Sequence, residues 1–335
     1  MKNHYLFFIL LFVTLTSNAQ IVDIPDTNFK NALLNHDPII DTNNDGEIQE
    51  SEAESVTVLY VADKNISSLE GIQSFILLEL LSCYNNQLAT INLSNNSALR
   101  ILECYNNNLL NLDLSLNIEL QLLHCYDNFL TSLDLHQNLN LQYLHCYRNL
   151  LTNLNIGSNL YIKVISTSFN DLVDLDISQC PNLEFLFCNN NNLVNLNTQN
   201  NNNSFLISMI SFDNPNLICI QVDDVENSEN RDCELQNNMG WCKDNWTEYS
   251  ELCELVIEDN LQSQFVIFPN PANGVIRIET DYSINSIKVF NTSGQLVLEQ
   301  NNSSNQIDVS HLSRGLLFVK IETDYGSLVK KVIKE

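Results

Sequence analysis

The chain has 335 residues, of which 44% are hydrophobic, and a formal net charge of −26; this is enough chain for two or three compact units of ~100–200 residues each. So acidic a chain is repelled by phosphates, which excludes nucleic acid and anionic membrane as ordinary partners and favours calcium or cationic ones. With only 8 Gly and 6 Pro, it is not a low-complexity polymer.

The charge is uneven. Residues 260–335 hold seven Lys+Arg and seven Asp+Glu, whereas residues 21–259 hold seven against thirty-four, a net of −27. That step predicts a change of domain near residue 258.

Residues 1–19 have the form of an export signal. Lys2 supplies the positive start, Tyr5 to Val13 the apolar stretch, and Ser17-Asn18-Ala19 the small residues before a cleavage point ahead of Gln20. The apolar stretch is shorter than the ~20 residues of a spanning helix, and no second long one follows, so no transmembrane segment is expected in the mature protein.

Residues 20–56 read as an N-terminal cap. A short helix is expected over 26–36, with Asp26 or Thr27 capping it and Phe29, Leu33 and Leu34 on one apolar face. Asp41-Thr-Asn43-Asn-Asp45-Gly46-Glu47-Ile48-Gln49-Glu-Ser-Glu52 then follows the spacing of an EF-hand calcium loop. Side-chain oxygens of Asp41, Asn43 and Asp45, the Glu47 carbonyl and a bidentate Glu52 would bind one structural Ca2+. The competing reading is an acidic turn that only starts the next element.

A period of 21 residues dominates positions 57–222. Cys83, Cys104, Cys125, Cys146 and Cys188 keep that register, with Thr167 in the sixth slot. Asn86, Asn107, Asn128, Asn149, Asn170 and Asn191 follow three residues later, and Leu88, Leu109, Leu130, Leu151, Leu172 and Leu193 two further on. The unit L-x-x-L-x-C-x-x-N-x-L-x-x-L-x-L closely resembles the leucine-rich-repeat family in its short bacterial form. The resemblance implies a solenoid of parallel β coils, each burying its apolar face against the next. It also implies an asparagine ladder that satisfies turn backbone. The column cysteines fill a slot that other such repeats give to Leu, so they read as reduced, buried thiols. Cys180 reads as a packed turn residue at a slot otherwise held by Asn96, Asn117, Asn138 and Asn159.

Residues 223–258 lack the period. Cys219, Cys233, Cys242 and Cys253 in an exported chain predict two disulfides. Three connectivities exist; Cys219–Cys253 with Cys233–Cys242 nested inside closes one outer and one inner loop. A four-thiolate metal site lacks paired C-x-x-C spacing. This segment is expected to cap the open solenoid end.

Residues 259–335 change character to short alternating strands separated by turns such as Ser293-Gly294 and Arg314-Gly315. They predict a small antiparallel β-sandwich. The Phe268-Pro269-Asn270-Pro271 opening, the stretch Ile307 to Gly315 and the terminal Lys330-Lys331-Val-Ile-Lys334 resemble the C-terminal sorting domain of the type IX secretion system. That implies export through this machinery, usually with removal of the domain, leaving a secreted or outer-membrane-surface product. The fold class expected overall is mainly β, a solenoid with a short helix at its N-terminal cap, then the sandwich.

On the concave strands three outward columns are read. One is apolar: Leu80, Ile101, Leu122, Tyr143, Val164 and Phe185. The second contains Glu103, His124 and His145, and the third Tyr84, Tyr105, Tyr126 and Tyr147. Displayed aromatic and apolar residues mark interfaces, so these residues are the candidate site for a protein or peptide ligand. Cross-strand aromatic pairing alone is the competing reading. His124 and His145 with Glu103 have metal-binding chemistry, although spacing fixes no third ligand. No G-x-S-x-G, H-E-x-x-H or G-x-G-x-x-G is present, and columns of identical residues lack the asymmetry of a catalytic constellation. The chain therefore reads as a binding protein rather than an enzyme. A glycan-binding surface protein is the alternative, and a secreted hydrolase a more distant one.

Overall fold

A computed structural model describes residues 20–234, 237, 239–253, 265–280, 282–301, 305–323 and 326–335. The export signal expected over 1–19 lies outside the described residues, as does most of the linker expected before residue 259. The chain divides into two compact units, the first ending at Asn170 and the second beginning at Asp171.

The first unit opens with α1 (Thr27–Leu34). Asp26 is its N-cap: one carboxylate oxygen accepts from the Asn28 and Phe29 N–H groups. The other accepts from the Ser67 N–H, the Ser67 hydroxyl and the Ser68 N–H, tying the helix start to the first coil. Phe29 and Leu33 are fully buried beneath it. A second short helix, α2 (Glu50–Ala53), follows the acidic loop, with Gln49 and Glu52 forming a capping box.

The coils supply β1 (Val58–Tyr60), β2 (Leu80–Ser82), β3 (Ile101–Glu103), β4 (Leu122–His124), β5 (Ser132–Asp134), β6 (Tyr143–His145), β7 (Asn153–Asn155) and β8 (Val164–Ser166). β1 to β4, β6 and β8 pair in parallel, each one coil from the last: Leu59 faces Leu81, then Leu102, Leu123, Leu144 and Ile165. In a three-residue strand the central side chain points one way and its neighbours the other. These central residues are fully buried, whereas Leu80, Ile101, Glu103, Leu122 and His124 lie half-buried on the outer face. β5 and β7 pair in a separate two-stranded ladder.

Each coil must turn without leaving inward-facing backbone unpaired, and the asparagine column does this. Asn128 accepts the Leu109 N–H on Oδ1 at 3.0 Å and donates through Nδ2 to the Cys104 and Cys125 carbonyls at 3.1 Å each. Asn107 and Asn149 repeat the pattern one coil to either side. The structure adds a second ladder. Asn96, Asn117 and Asn138 are buried, and Asn117 donates to the carbonyls of Leu93 and Asn96, as Asn138 does to those of Leu114 and Asn117. This ladder is less complete, because the Oδ1 atoms of Asn96 and Asn138 are buried without a partner among the described residues.

In the second unit, β9 (Asp174–Asp176), β10 (Phe185–Phe187), β11 (Asn195–Asn197), β12 (Ser208–Ile210), β13 (Cys219–Gln221), β14 (Cys233–Glu234), β15 (Met239–Cys242) and β16 (Glu248–Ser250) build further coils. The cysteine-rich segment lacks the 21-residue spacing, yet it forms one more coil. β15 pairs in parallel with β12, setting Trp241 against Met209, and β16 pairs with β13. Asp244 takes over the ladder role, its carboxylate accepting from the Asp213 and Asn214 N–H groups at 3.0 Å each. Disulfides join Cys219 to Cys253 and Cys233 to Cys242. The six other cysteines are buried and not disulfide-bonded, and Cys180 sits packed in its turn slot at 1% exposure.

The final element is an antiparallel pair of sheets. β17 (Val266–Phe268), β18 (Val275–Glu279) and β21 (Gln306–Asp308) form one; β20 (Leu296–Gln300), β19 (Ile284–Phe290), β22 (Gly315–Thr323) and β23 (Gly326–Lys334) form the other. Ile276, Ile278, Ile287, Val289, Ile307, Val319, Ile321 and Val332 make their shared core. Glu322 gathers Ser286, Lys320 and Lys288, whose hydrogen bonds bring its carboxyl down to about 2. Among the described residues no helix is long and apolar enough to cross a membrane.

Replacing Asn128 by Ala strands the Leu109 N–H and weakens satisfaction of two carbonyls in a dry core. Each buried group left unsatisfied costs ~1–3 kcal/mol, so Asn128→Ala is expected to lower stability by about 2–4 kcal/mol. A urea midpoint equal to that of the parent chain would contradict the ladder's role.

Candidate functional site

The coil repeat places equivalent side chains ~4.8 Å apart along the sheet. Tyr84, Tyr105, Tyr126 and Tyr147 occupy one such column just past β2, β3, β4 and β6. Their rings stack with centroids 4.4 Å apart and planes within 6–9° of parallel. The ladder is half-buried throughout. Burial pushes the Tyr105, Tyr126 and Tyr147 hydroxyls above the ordinary phenol value. They therefore remain neutral and able to donate at neutral pH.

Beside the ladder run Glu103, His124 and His145. Glu103 accepts the Ser82 hydroxyl at 2.8 Å, and its other carboxylate oxygen lies 3.7 Å from His124 Nδ1. The His124 and His145 rings meet edge to face with centroids 4.8 Å apart. Burial depresses both imidazoles; Glu103 opposes this at His124, while the neighbouring His124 adds to it at His145, which falls to about 4. In the apolar column, Tyr143 stands between Leu122 and Val164 and is 37% exposed. The structure thus brings the predicted residues of the first unit, Tyr84, Tyr105, Tyr126, Tyr147, Tyr143, His124, His145 and Glu103, onto one face.

That face has an edge the sequence reading passed over. The residue before each ladder asparagine adopts left-handed backbone: Asn85, Asn106, Asp127, Arg148 and Phe169 have φ between 51° and 57°. Asn and Asp tolerate this region; for other side chains it costs roughly 1–2 kcal/mol. Arg148 and Phe169 nevertheless occupy it. The Arg148 guanidinium lies 5.7 Å from the Phe169 ring centroid and 3.9 Å from Asp127, and Phe169 is 48% exposed. Exposed Phe129 and Leu150 repeat at one position in successive coils. Reading the column before the asparagines as Asn, Asn, Asp, Arg, Phe would have revealed the break.

The column thiols offer no chemistry. Burial raises Cys104, Cys146 and Cys188 to about 12, so no thiolate nucleophile forms there.

The acidic loop closes through its own backbone. Asp41 accepts the Asp45 and Gly46 N–H groups at 3.2 and 3.0 Å, Asn43 the Asp45 N–H at 2.9 Å, and Asp45 the Glu47 N–H at 2.9 Å. Gly46, at φ 81°, takes the sharp turn. Glu52 accepts from the Thr42 N–H and hydroxyl on one oxygen and from the Gln49 N–H on the other. Burial would raise the Glu52 carboxyl, but these hydrogen bonds outweigh it and hold it below the ordinary range. The Glu47 side chain pairs with Lys30 instead. Asp41, Asn43, Asp45 and Glu52 thus all accept from backbone N–H groups of the one loop. The donor set is all hard oxygen, which suits calcium in kind. Among the described residues, no three His, Cys, Asp or Glu side chains gather closely enough to hold a metal ion, here or at Glu103, His124 and His145.

Residues 266–335 match the family described as the secretion system C-terminal sorting domain. Among solved structures, the functional domain of InlJ from Listeria monocytogenes, which includes a cysteine ladder, is 19% identical, covering 86% of this chain and 93% of that one with a TM-score of 0.37. Internalin C2 from the same organism is 20% identical over 62% of this chain and 89% of its own, TM-score 0.49. Its internalin InlF is 18% identical over 72% and 82%, TM-score 0.40. No curated protein matches the chain. Superpositions this loose carry no functional argument; the solenoid is identified by its own 21-residue register and paired coils. The chain folds as a solenoid of 21-residue coils of the leucine-rich-repeat type and ends in a type IX sorting domain, which indicates a secreted or cell-surface protein.

The histidine pair yields a pH dependence with a definite sign. In the unfolded chain an imidazole takes its proton near pH 6.5, whereas folded His145 does so only near 4. Its contribution to stability is therefore complete above pH 6.5 and lost as pH falls from there towards 4. His145→Gln is expected to flatten the melting temperature across this window relative to the parent, and parallel curves would refute the assignment.

Proposed function

We propose that the chain is a secreted or cell-surface binding protein that holds a protein or peptide on the concave face bearing Tyr84, Tyr105, Tyr126, Tyr147, Tyr143, His124, His145 and Glu103. The observation that carries this reading is the stacked tyrosine ladder. Inner rings cover one another at 4.4 Å, so the ladder presents ring edges and neutral hydroxyls rather than open faces. Sugars dock on open aromatic faces; an extended polypeptide meets edges and hydroxyl donors, and tyrosine is enriched where such interfaces draw their energy. The strained Arg148 and Phe169 on the adjoining edge support the same reading, because bulky residues persist in left-handed backbone where function favours them. The acidic stretch around the face favours a neutral or basic ligand.

Export is proposed to follow the two terminal signals, with residues 1–19 removed at the inner membrane and the sorting domain released after passage. Binding rather than catalysis is the proposed activity, since the thiols are buried and protonated.

The acidic loop is proposed to bind one structural calcium ion through Asp41, Asn43, Asp45, the Glu47 carbonyl and Glu52. Support comes from the oxygen-only donor set and the turn at Gly46. The ion would hold α1 and α2 together and stiffen the cap.

Two tests follow from these readings. Partners captured from the producing cells' surroundings, identified and then purified, are expected to bind the parent chain and lose about tenfold or more in affinity to the Tyr105→Ala/Tyr126→Ala double variant. Equal affinity would remove the concave face as the site. For the loop, calcium is expected to release heat on titration and to raise the melting temperature of the parent but not of Glu52→Gln. A parent chain that shows neither effect ends the calcium reading.

A further inference from the structure

At the edge of the tyrosine face, where Tyr60 pairs with Ser82, the N-terminal cap lines an open recess of about 480 Å³ between α1 and the first coil. That volume falls within the ~300–1,000 Å³ of small-ligand sites. Its wall is one face of α1: Asn28, Asn31 and Asn35 stand three and four residues apart, so their carboxamides point the same way. Two of these amides are held by backbone. Asn28 Nδ2 donates to the Asn65 carbonyl at 2.9 Å, and Asn35 Nδ2 to the Asn31 carbonyl at 2.8 Å. Their carbonyl oxygens are left for other donors. The Asn31 side chain has no hydrogen-bond partner among the described residues, so it offers both donors and acceptor.

Opposite stands Tyr60, 55% exposed, its ring nearly parallel to His36 with planes 8° apart and centroids at 6.3 Å. His36 is fixed from below. Its Nε2 accepts the Tyr60 N–H at 3.0 Å, which leaves Nδ1 to donate to the Pro38 carbonyl at 2.9 Å. The imidazole is thereby propped beside the phenol. The recess has one cation, Lys64, and one anion, Asp37, whose charges cancel.

An aromatic ring with an accessible face, opposed by carboxamides that can both donate and accept, and no net charge, is the chemistry that recognises a sugar. The apolar face of a pyranose stacks on the ring while its hydroxyls pair with the amides. We propose that this recess is a subsite for a neutral saccharide, with Tyr60 as the stacking platform and Asn31 as the principal hydroxyl partner. It is separate from the tyrosine ladder and does not depend on the reading of that face. The two aromatic features differ in kind, because the ladder's inner rings are covered on both faces and Tyr60 is not.

The test titrates the full chain calorimetrically with cellotetraose, maltotetraose, chitotetraose and mannotetraose, and with triglycine as a peptide probe. At least one saccharide is expected to bind at millimolar or better. Tyr60→Ala and Asn31→Asp should each weaken it about tenfold or more. Tyr60→Phe, which keeps the stack, should leave it within about twofold. Tyr105→Ala/Tyr126→Ala should leave it unchanged. Melting curves confirm that each variant is folded, and Asn31→Asp, a surface change, covers the case in which Tyr60→Ala fails to fold. Absence of saccharide binding overturns the proposal. So does binding of triglycine alone, or saccharide binding that survives Tyr60→Ala and Asn31→Asp or is lost in the ladder variant.

Discussion

A coil of 21 residues cannot close without aiming backbone amides and carbonyls into an apolar interior, and the asparagine carboxamide is what satisfies them. One Asn side chain accepts an N–H from the preceding coil and donates to carbonyls of two coils at once. A carboxylate lacks the donors and an aliphatic side chain lacks both. The bond therefore both pairs buried polar groups and locks adjacent coils in register. A single net hydrogen bond is worth only ~1 kcal/mol, but an orphaned buried group costs more, so the ladder acts chiefly by avoiding a penalty. Where the pattern ends, Asp244 substitutes, because the two groups it must satisfy are both N–H donors.

Register has a consequence for the surface. Once the coils are locked, anything at a given position is repeated at the coil spacing, whatever its chemistry. Tyrosines become a stack, thiols a buried column, and the residue before each asparagine a row of left-handed backbone. The stacking distance is set by the backbone rather than by ring preference, since offset or edge-to-face pairs at larger separation are favoured for free rings. The two histidines respond differently, meeting edge to face within the same spacing. Breaks in a column are then informative: Arg148 and Phe169 stand where Asn or Asp would be easier.

The solenoid's ends need separate solutions because an uncovered coil exposes apolar side chains. At the start, Asp26 caps a helix with one oxygen and grips Ser67 and Ser68 with the other. At the far end, a coil with irregular spacing is held by two disulfides and by Trp241, whose indole N–H reaches the Leu206 carbonyl. The sorting domain has its own core and antiparallel order, consistent with the drop from −27 to zero net charge at its boundary.

The sequence alone determined what periodicity and spacing encode. Six copies in register fixed the coil, the inward Leu and Cys columns and the asparagine ladder, since each follows from position modulo 21. The capped helix, the sandwich strands and the outward columns were legible for the same reason: local pattern decides which way a side chain points. Tertiary structure decided what pattern cannot carry. The cysteine-rich segment's role as a coil depends on strand pairing across thirty-two residues, Asn96, Asn117 and Asn138 act as a second ladder only when coils stack, and the strain at Arg148 and Phe169 lies in a backbone angle. The Tyr60 recess joins a helix face to a strand more than twenty residues away. No repeat or motif marks it, because its chemistry arises only when packing brings Asn31 and Tyr60 to the same cavity.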